Sequence, residues 1–170
     1  MIETMKKQKL ILNKEQSHHK LQRMALEIAE QLSEDNAELY LIGVAKKGVV
    51  ISEILYPYLQ PYFQQKIKLL SVELHKDLPT KITLSKNVNF NDCNIILVDD
   101  VANSGKTLTY ALKPLLEFHP KRIQTLVLVE RTYKKFPIKP DYIGLSISTT
   151  IQEHILVEIE NNEVIGAYLI

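Results

Sequence analysis

The sequence predicts an α/β fold with a central, mostly parallel sheet flanked by helices. Three observations carry that expectation. Short runs rich in aliphatic and β-branched residues stand at 39–44 (LYLIGV), 68–74 (KLLSVEL), 94–100 (NIILVDD), 123–130 (IQTLVLVE) and 142–147 (YIGLSI). They are nearly continuous in apolar character, as strands covered on both faces must be. Helical patterns lie between several of them, and such alternation selects parallel strands joined by crossovers. With 170 residues, 45% of them hydrophobic, the chain has the size of one domain that can bury its own core, and a single domain over 1–170 is expected.

The elements follow in order. A first helix is expected over 17–34, where Leu21, Met24, Ala25, Ile28 and Leu32 recur at helical spacing and form one apolar stripe. Strand 39–44 leads to a second helical pattern over 49–59. A third runs over 108–116, with Leu108, Ala111, Leu112, Leu115 and Leu116 on one side; Pro114 inside it lacks an N–H and predicts a kink. The last stretch reads ILVEIE, then Asn161-Asn162, then EVIGAYLI, which predicts two strands around a tight turn. No repeat, low-complexity tract or linker interrupts the chain.

Composition narrows the function. Lys and Arg number 21 against 20 Asp and Glu, a formal net charge of +1, so the molecule offers no bulk basic field to gather nucleic acid. One cysteine, Cys93, excludes an internal disulfide and a multi-cysteine metal site and suits a reducing compartment. No apolar run approaches the ~18 residues that suggest a membrane span, and MIETMKKQKL carries no signal-type apolar core. A soluble, cytoplasmic chain without membrane partners is expected.

The chemistry concentrates in NIILVDDVANSGKTL, residues 94–108. Its SGKT resembles the tail of an ATP-binding loop, but that loop needs a glycine where Asp100 stands. A carboxylate there would repel the phosphates the loop wraps. A ligand with two unlike ends resolves the conflict. A small-residue turn entering a helix presents N–H groups to an anion, and Ser104, Gly105, Lys106 and Thr107 suit that role. Asp99 and Asp100 then face hydrogen-bond donors or a cation, which sugar hydroxyls or Mg²⁺ supply. A ribose 5-phosphate meets both demands. An isolated Asp-Asp is more often a solvated pair, Lys46-Lys47 alone an exposed turn, and His75 or His154 a surface residue; the junction of acids and turn is what changes the reading.

VDDVANSGKT resembles the phosphoribosyl pyrophosphate signature of type I phosphoribosyltransferases, and IGVAKKGVV (42–50) is similar to that family's pyrophosphate loop. LVERTYKKFPIKPDYIGLSISTT (128–150) resembles the matching run of the pyrimidine-operon attenuation regulators that double as uracil phosphoribosyltransferases. The similarity extends from Ser17 through the C-terminal residues. It implies the type I phosphoribosyltransferase fold, with transfer of ribose 5-phosphate from Mg²⁺-bound phosphoribosyl pyrophosphate to a pyrimidine, most plausibly uracil. It also implies a homodimer or larger assembly. Asp99 and Asp100 would hold the ribose hydroxyls and the metal, and Ala102, Asn103, Ser104, Gly105, Lys106 and Thr107 the 5-phosphate. Ala45, Lys46 and Gly48, with Lys47, would hold the pyrophosphate. Lys47 stands where relatives commonly carry Arg, so a point charge replaces a bidentate fork.

Other correspondences follow from the same resemblance. Glu130 stands in place of an Asp, at a strand end suited to the metal or the base. The segment 75–92 corresponds to a small flexible hood, shorter than in the regulators, with Lys76 as its pyrophosphate contact. His75, Lys76 and Asp77 are similar to the regulators' Tyr-Arg-Asp. The 6-oxopurine enzymes of the fold commonly place Asp where Asn103 sits, which leans toward a pyrimidine; the stretch 131–142 would set base selectivity. A second reading is an RNA-binding attenuator using nucleotide or donor only as effector. Its basic surface would join His18, His19, Lys20 and Arg23 to Arg131, Lys134, Lys135 and Lys139. An ordinary wet helix face is the readier explanation of the first four.

Overall fold

The computed structural model describes residues 8–75 and 81–170. Its larger sheet joins β2 (Leu39–Val44), β3 (Lys68–Leu74), β4 (Ile82–Leu84), β5 (Asn94–Ala102), β6 (Arg122–Arg131) and β7 (Tyr142–Ile147). The strand order is β4-β3-β2-β5-β6-β7. Every neighbouring pair is parallel except β3 with β4. From β2 the chain moves outward to β3, then crosses back to β5 on the other side. The direction of winding thus reverses between β2 and β5, and open α/β sheets bind ligands beyond the strand carboxyl ends at such a reversal.

Both faces of the central strands are covered, which is why β2, β5 and most of β6 read as continuous apolar runs, while β3 and β7 toward the edges stay partly exposed. On one side α1 (Lys14–Leu32) and α2 (Ala45–Leu59) press Leu21, Met24, Ile28, Ile51 and Leu55 onto Ile96, Val98, Leu126 and Leu128. On the other, Phe90, Leu108 and Leu115 cover Ile42, Ile95 and Leu97. Each aliphatic side chain buried in these layers contributes about 1.5–3 kcal/mol. Phe90 also packs edge-on against Tyr40 at 5.3 Å and Phe118 at 5.5 Å.

The boundaries show where local chemistry overrides periodicity. Helix α1 begins at Lys14 rather than 17 because Asn13 caps it: the Asn13 side chain accepts from Gln16 N, and Gln16 reaches back to Asn13 N, a reciprocal capping box. Helix α2 begins at Ala45 rather than 49, directly out of β2. Helix α3 (Lys106–Ala111) is shorter than the expected 108–116. Pro114 ends it rather than kinking it, since its ring cannot follow the carbonyl of Tyr110 in a regular helix; the chain goes on in short turns such as Lys113 N to Tyr110 O at 3.0 Å.

The final hairpin forms as expected from β8 (Ile155–Glu160) and β9 (Glu163–Leu169). Asn161 and Asn162 both take positive φ, 49° and 60°, the backbone of a tight type I′ turn. A strand the periodicity does not foretell, β1 (Lys9–Asn13), pairs antiparallel with β9 and completes a second sheet of order β1-β9-β8. Among the described residues no helix is long and apolar enough to cross a membrane.

Candidate active site

The carboxyl ends of β2 and β5 meet because two glycines let α2 approach closely. A Cβ on Gly48 would lie 2.3 Å from the carbonyl oxygen of Val98, and one on Gly43 2.4 Å from Val49 N. With those atoms absent, the first turn of α2 lies against β5 and Lys47 reaches its acidic end. Lys47 Nζ lies 3.6 Å from Asp100 Oδ2 and donates to the carbonyl of Val157 at 2.7 Å. Asp99 and Asp100 are 4% and 6% exposed, and both line the cleft. Asp100 N donates to Asp99 Oδ1 at 2.9 Å.

Beyond the acids the chain turns through Ala102–Ser104 into α3. Gly105 caps that helix at φ 83°, a left-handed conformation that glycine adopts without steric cost. Lys47, residues 99–108, Ile155 and Leu156 line one cleft of about 240 Å³. That lies just below the roughly 300–1,000 Å³ of pockets for drug-sized ligands. The structure therefore brings Lys47 together with Asp99, Asp100 and Ala102 through Thr107. Ala45, Lys46 and Gly48 sit beside the cleft at the start of α2 without lining it, and Lys46 is exposed. Ala45 is held at φ 51°, a strained angle for a residue with a Cβ.

Other residues fall elsewhere. Lys76 and Asp77 lie outside the described residues. From 81 onward the expected hood segment includes β4 on the edge of the larger sheet, and Ile155 and Leu156 at the start of β8 line the cleft from the small sheet. Glu130 stands beside Ala102 on the neighbouring strand, but its two oxygens are engaged: Oε1 accepts from Ser146 Oγ at 2.9 Å, and Oε2 lies 3.3 Å from Lys134 Nζ. It does not join the acidic pair. Among the described residues no three His, Cys, Asp or Glu side chains gather as a metal-ligand group. Two carboxylates fit Mg²⁺ all the same, because that ion is commonly held by one or two carboxylates plus substrate phosphates.

The proposed basic surface is partly dismantled. Arg131 is buried, its Nε donating to Thr149 Oγ1 at 2.7 Å and its Nη2 to the carbonyl of Thr150 at 2.8 Å. Lys134 also turns inward. Arg23 pairs with Glu27 and donates to Ile143 O at 3.0 Å. Cys93 is buried and donates to Phe90 O at 2.9 Å; burial pushes its thiol up to about 11, which keeps it protonated and unreactive. The roles of Ile155, Leu156, Lys134 and Ser146 were not legible beforehand, since hairpin packing and a turned-in lysine leave no periodic trace.

A mostly parallel sheet with an acid-and-glycine cleft at its winding reversal has the form of a nucleotide-type α/β site. The chain belongs to the phosphoribosyl transferase domain family, which matches residues 8–162. The protein is similar to the bifunctional protein PyrR of Actinobacillus pleuropneumoniae serotype 5b, 30% identical over 162 residues that cover 88% of this chain and 89% of that one. The PyrR of Limosilactobacillus fermentum is 32% identical over 152 residues, 82% and 84% of the two chains. Among solved structures, the hypoxanthine phosphoribosyltransferase of Trypanosoma cruzi superposes with a TM-score of 0.76 at 16% identity, covering 93% and 95%. A hypoxanthine-guanine phosphoribosyltransferase from Bacillus anthracis gives 0.71 at 20%, covering 94% and 96%. At those identities the structural likeness speaks to fold alone. The expected family and fold class are both borne out.

Proposed function

We propose that the protein transfers ribose 5-phosphate from phosphoribosyl pyrophosphate to a pyrimidine, uracil foremost, giving UMP and pyrophosphate. The observation that carries this reading is the shared cleft: an acidic pair at one end, a glycine turn rich in hydroxyls and N–H groups at the other, and Lys47 across the mouth. In the reaction the bond from C1 of the ribose to pyrophosphate breaks and a bond from C1 to the ring nitrogen forms, while that nitrogen gives up its proton. The ring gains positive charge as the leaving group gains negative charge, and fixed groups of opposite sign assist each. Asp99 and Asp100 face the ribose hydroxyls and favour the cationic ring. The turn from Ala102 to Thr107 holds the 5-phosphate, and Lys47, with amides of the first turn of α2, meets the departing pyrophosphate. Bound Mg²⁺, for which Asp99 and Asp100 are the available carboxylates, supplies charge neutralisation at that leaving group.

The choice of uracil rests on the resemblance over 128–150 to the pyrimidine regulators and on Asn103, an exposed cleft residue whose amide cannot accept a proton from a base. The same reading gives a cytoplasmic enzyme, where the lone thiol of Cys93 stays reduced, acting as a homodimer or larger assembly. The test is to incubate the protein with phosphoribosyl pyrophosphate, Mg²⁺ and a panel of bases while following pyrophosphate release. Release with uracil above all purines is expected. Donor binding without turnover on any base would instead identify an effector-binding regulator.

A further inference from the structure

We infer that Lys134 is a positioning residue that builds the phosphate cradle from behind; the inference rests on the phosphate-loop reading above. Lys134 was read from sequence as a surface charge, yet its side chain is 19% exposed and its ammonium is spent inside the protein. Nζ donates to the carbonyl of Arg131 and lies 3.4 Å from the carbonyl oxygens of both Ala102 and Asn103. The adjoining backbone continues the pattern, for Lys135 N and Phe136 N each donate to Ser104 O at 3.0 Å. Three successive carbonyls of the loop are thus held by the segment that follows β6.

That arrangement fixes the opposite side of each peptide. In a planar trans peptide the C=O and the following N–H point in opposite directions. With the oxygens of 102, 103 and 104 turned toward residues 134–136, the N–H groups of Asn103, Ser104 and Gly105 point away, on the side of the cleft that these residues line. Successive N–H groups on one side form a concavity for an anion. Left to itself, a small-residue loop could rotate any of these peptides and withdraw a donor; held from behind, the donors are set before the ligand arrives.

Glu130 has its place in this device. Its carboxylate balances Lys134 at 3.3 Å and is itself fixed by Ser146 at 2.9 Å. The ammonium is therefore neutralised where it stands, and it acts through the direction of the carbonyls rather than as a charge on the phosphate. The relay Ser146, Glu130, Lys134 also makes the ends of β6 and β7 part of the phosphate site.

The test compares Lys134→Met and Lys134→Arg with the unaltered protein, titrating ribose 5-phosphate and, separately, pyrophosphate with Mg²⁺. Lys134→Met should bind ribose 5-phosphate about tenfold or more weakly, the loss expected when one amide donor to a charged oxygen is misdirected. Its pyrophosphate affinity should stay unchanged, and Lys134→Arg should recover much of the loss. A merely structural lysine would lower both affinities together or neither. In the unaltered protein, amide resonances of Asn103, Ser104 and Gly105 should shift on adding ribose 5-phosphate, a readout that survives even if Lys134→Met does not fold. Equal ribose 5-phosphate affinity in Lys134→Met, or unmoved resonances while the ligand binds, would overturn the positioning role and leave the proposed function standing. Failure of the unaltered protein to bind ribose 5-phosphate would remove both.

Discussion

Lys47 and Asp100 face each other at 3.6 Å across the mouth of the cleft, with Lys47 also anchored on the carbonyl of Val157 at 2.7 Å. One flexible side chain thereby links the first turn of α2, the acidic end of β5 and the roof strand β8. Its charge is already in place where a departing anion would need it. Lys47→Met should weaken donor binding about tenfold or more, the usual worth of a hydrogen bond to a charged group. Lys47→Arg should bind the donor at least as well as the unaltered protein, since a fork can meet two phosphate oxygens. Melting temperature should change little for Lys47→Arg, which keeps the charge beside the buried Asp100, and fall for Lys47→Met, which leaves that carboxylate without its partner. Calorimetric titration with phosphoribosyl pyrophosphate checks both.

Replacing Asp99 and Asp100 together by Asn removes the charge that favours ribose and metal while preserving shape. Donor affinity should fall by about a hundredfold or more, taking each charged contact at about 1.5 kcal/mol or above. Circular dichroism should show the fold intact. Unchanged affinity would contradict the role assigned to the pair.

Gly48→Ala tests the packing beneath the site. The added methyl would meet the Val98 carbonyl oxygen at 2.3 Å, so α2 must back away from β5. Such overpacking costs about 1–3 kcal/mol or more, visible as a lowered melting temperature. Donor affinity should fall with it, because Lys47 rides on the same turn.

Asp35 gives an acid-side signature remote from the cleft. The N–H of Ala37, at 2.9 Å, and then Lys121, at 2.9 Å, hold its carboxyl down from 3.8 to about 2. A carboxylate whose value is lowered by folding contributes stability that is complete above about pH 4 and disappears as pH falls toward about 2. Asp35→Asn should therefore melt lower than the unaltered protein at pH 7. The gap should narrow below pH 4 and close near pH 2 in a pH series of thermal melts.

Asn103→Asp probes the base. It places a proton acceptor at a cleft position that the 6-oxopurine enzymes of this fold commonly fill with Asp. Turnover with hypoxanthine or guanine should rise relative to uracil, measured as the ratio of kcat/KM values. An unaltered ratio would show that selectivity is set elsewhere.

Much of the sheet could be read from the chain because runs of aliphatic and β-branched residues mark strands even where, as in β3 and β7, the strand stays partly exposed. LYLIGV, KLLSVEL and YIGLSI form the strands β2, β3 and β7 at the residues where their apolar runs stand. The phosphate turn was legible for a different reason, namely that acids and glycine must follow one another closely to serve one sugar. What escaped notice depends on contacts far apart in sequence. β1 has only KLILN to offer and becomes a strand because β9 is there to pair with it. Lys134 looks like any surface lysine until the phosphate loop lies beside it. Glu130 carries the same carboxylate as the residues around the cleft, and only the neighbouring Ser146 and Lys134 divert it.

The roof strand has a temporal consequence. β8 covers the cleft, β9 pairs with it, and β9 also pairs with β1, so that Lys9 sits opposite Leu169. Joining such distant points closes a very long loop and comes late in folding. During synthesis the sheet can assemble with Asp99, Asp100 and their turn already formed, but the lid over them must wait for residue 169 to leave the ribosome. A nascent chain would hold an open, unfinished cleft until that moment.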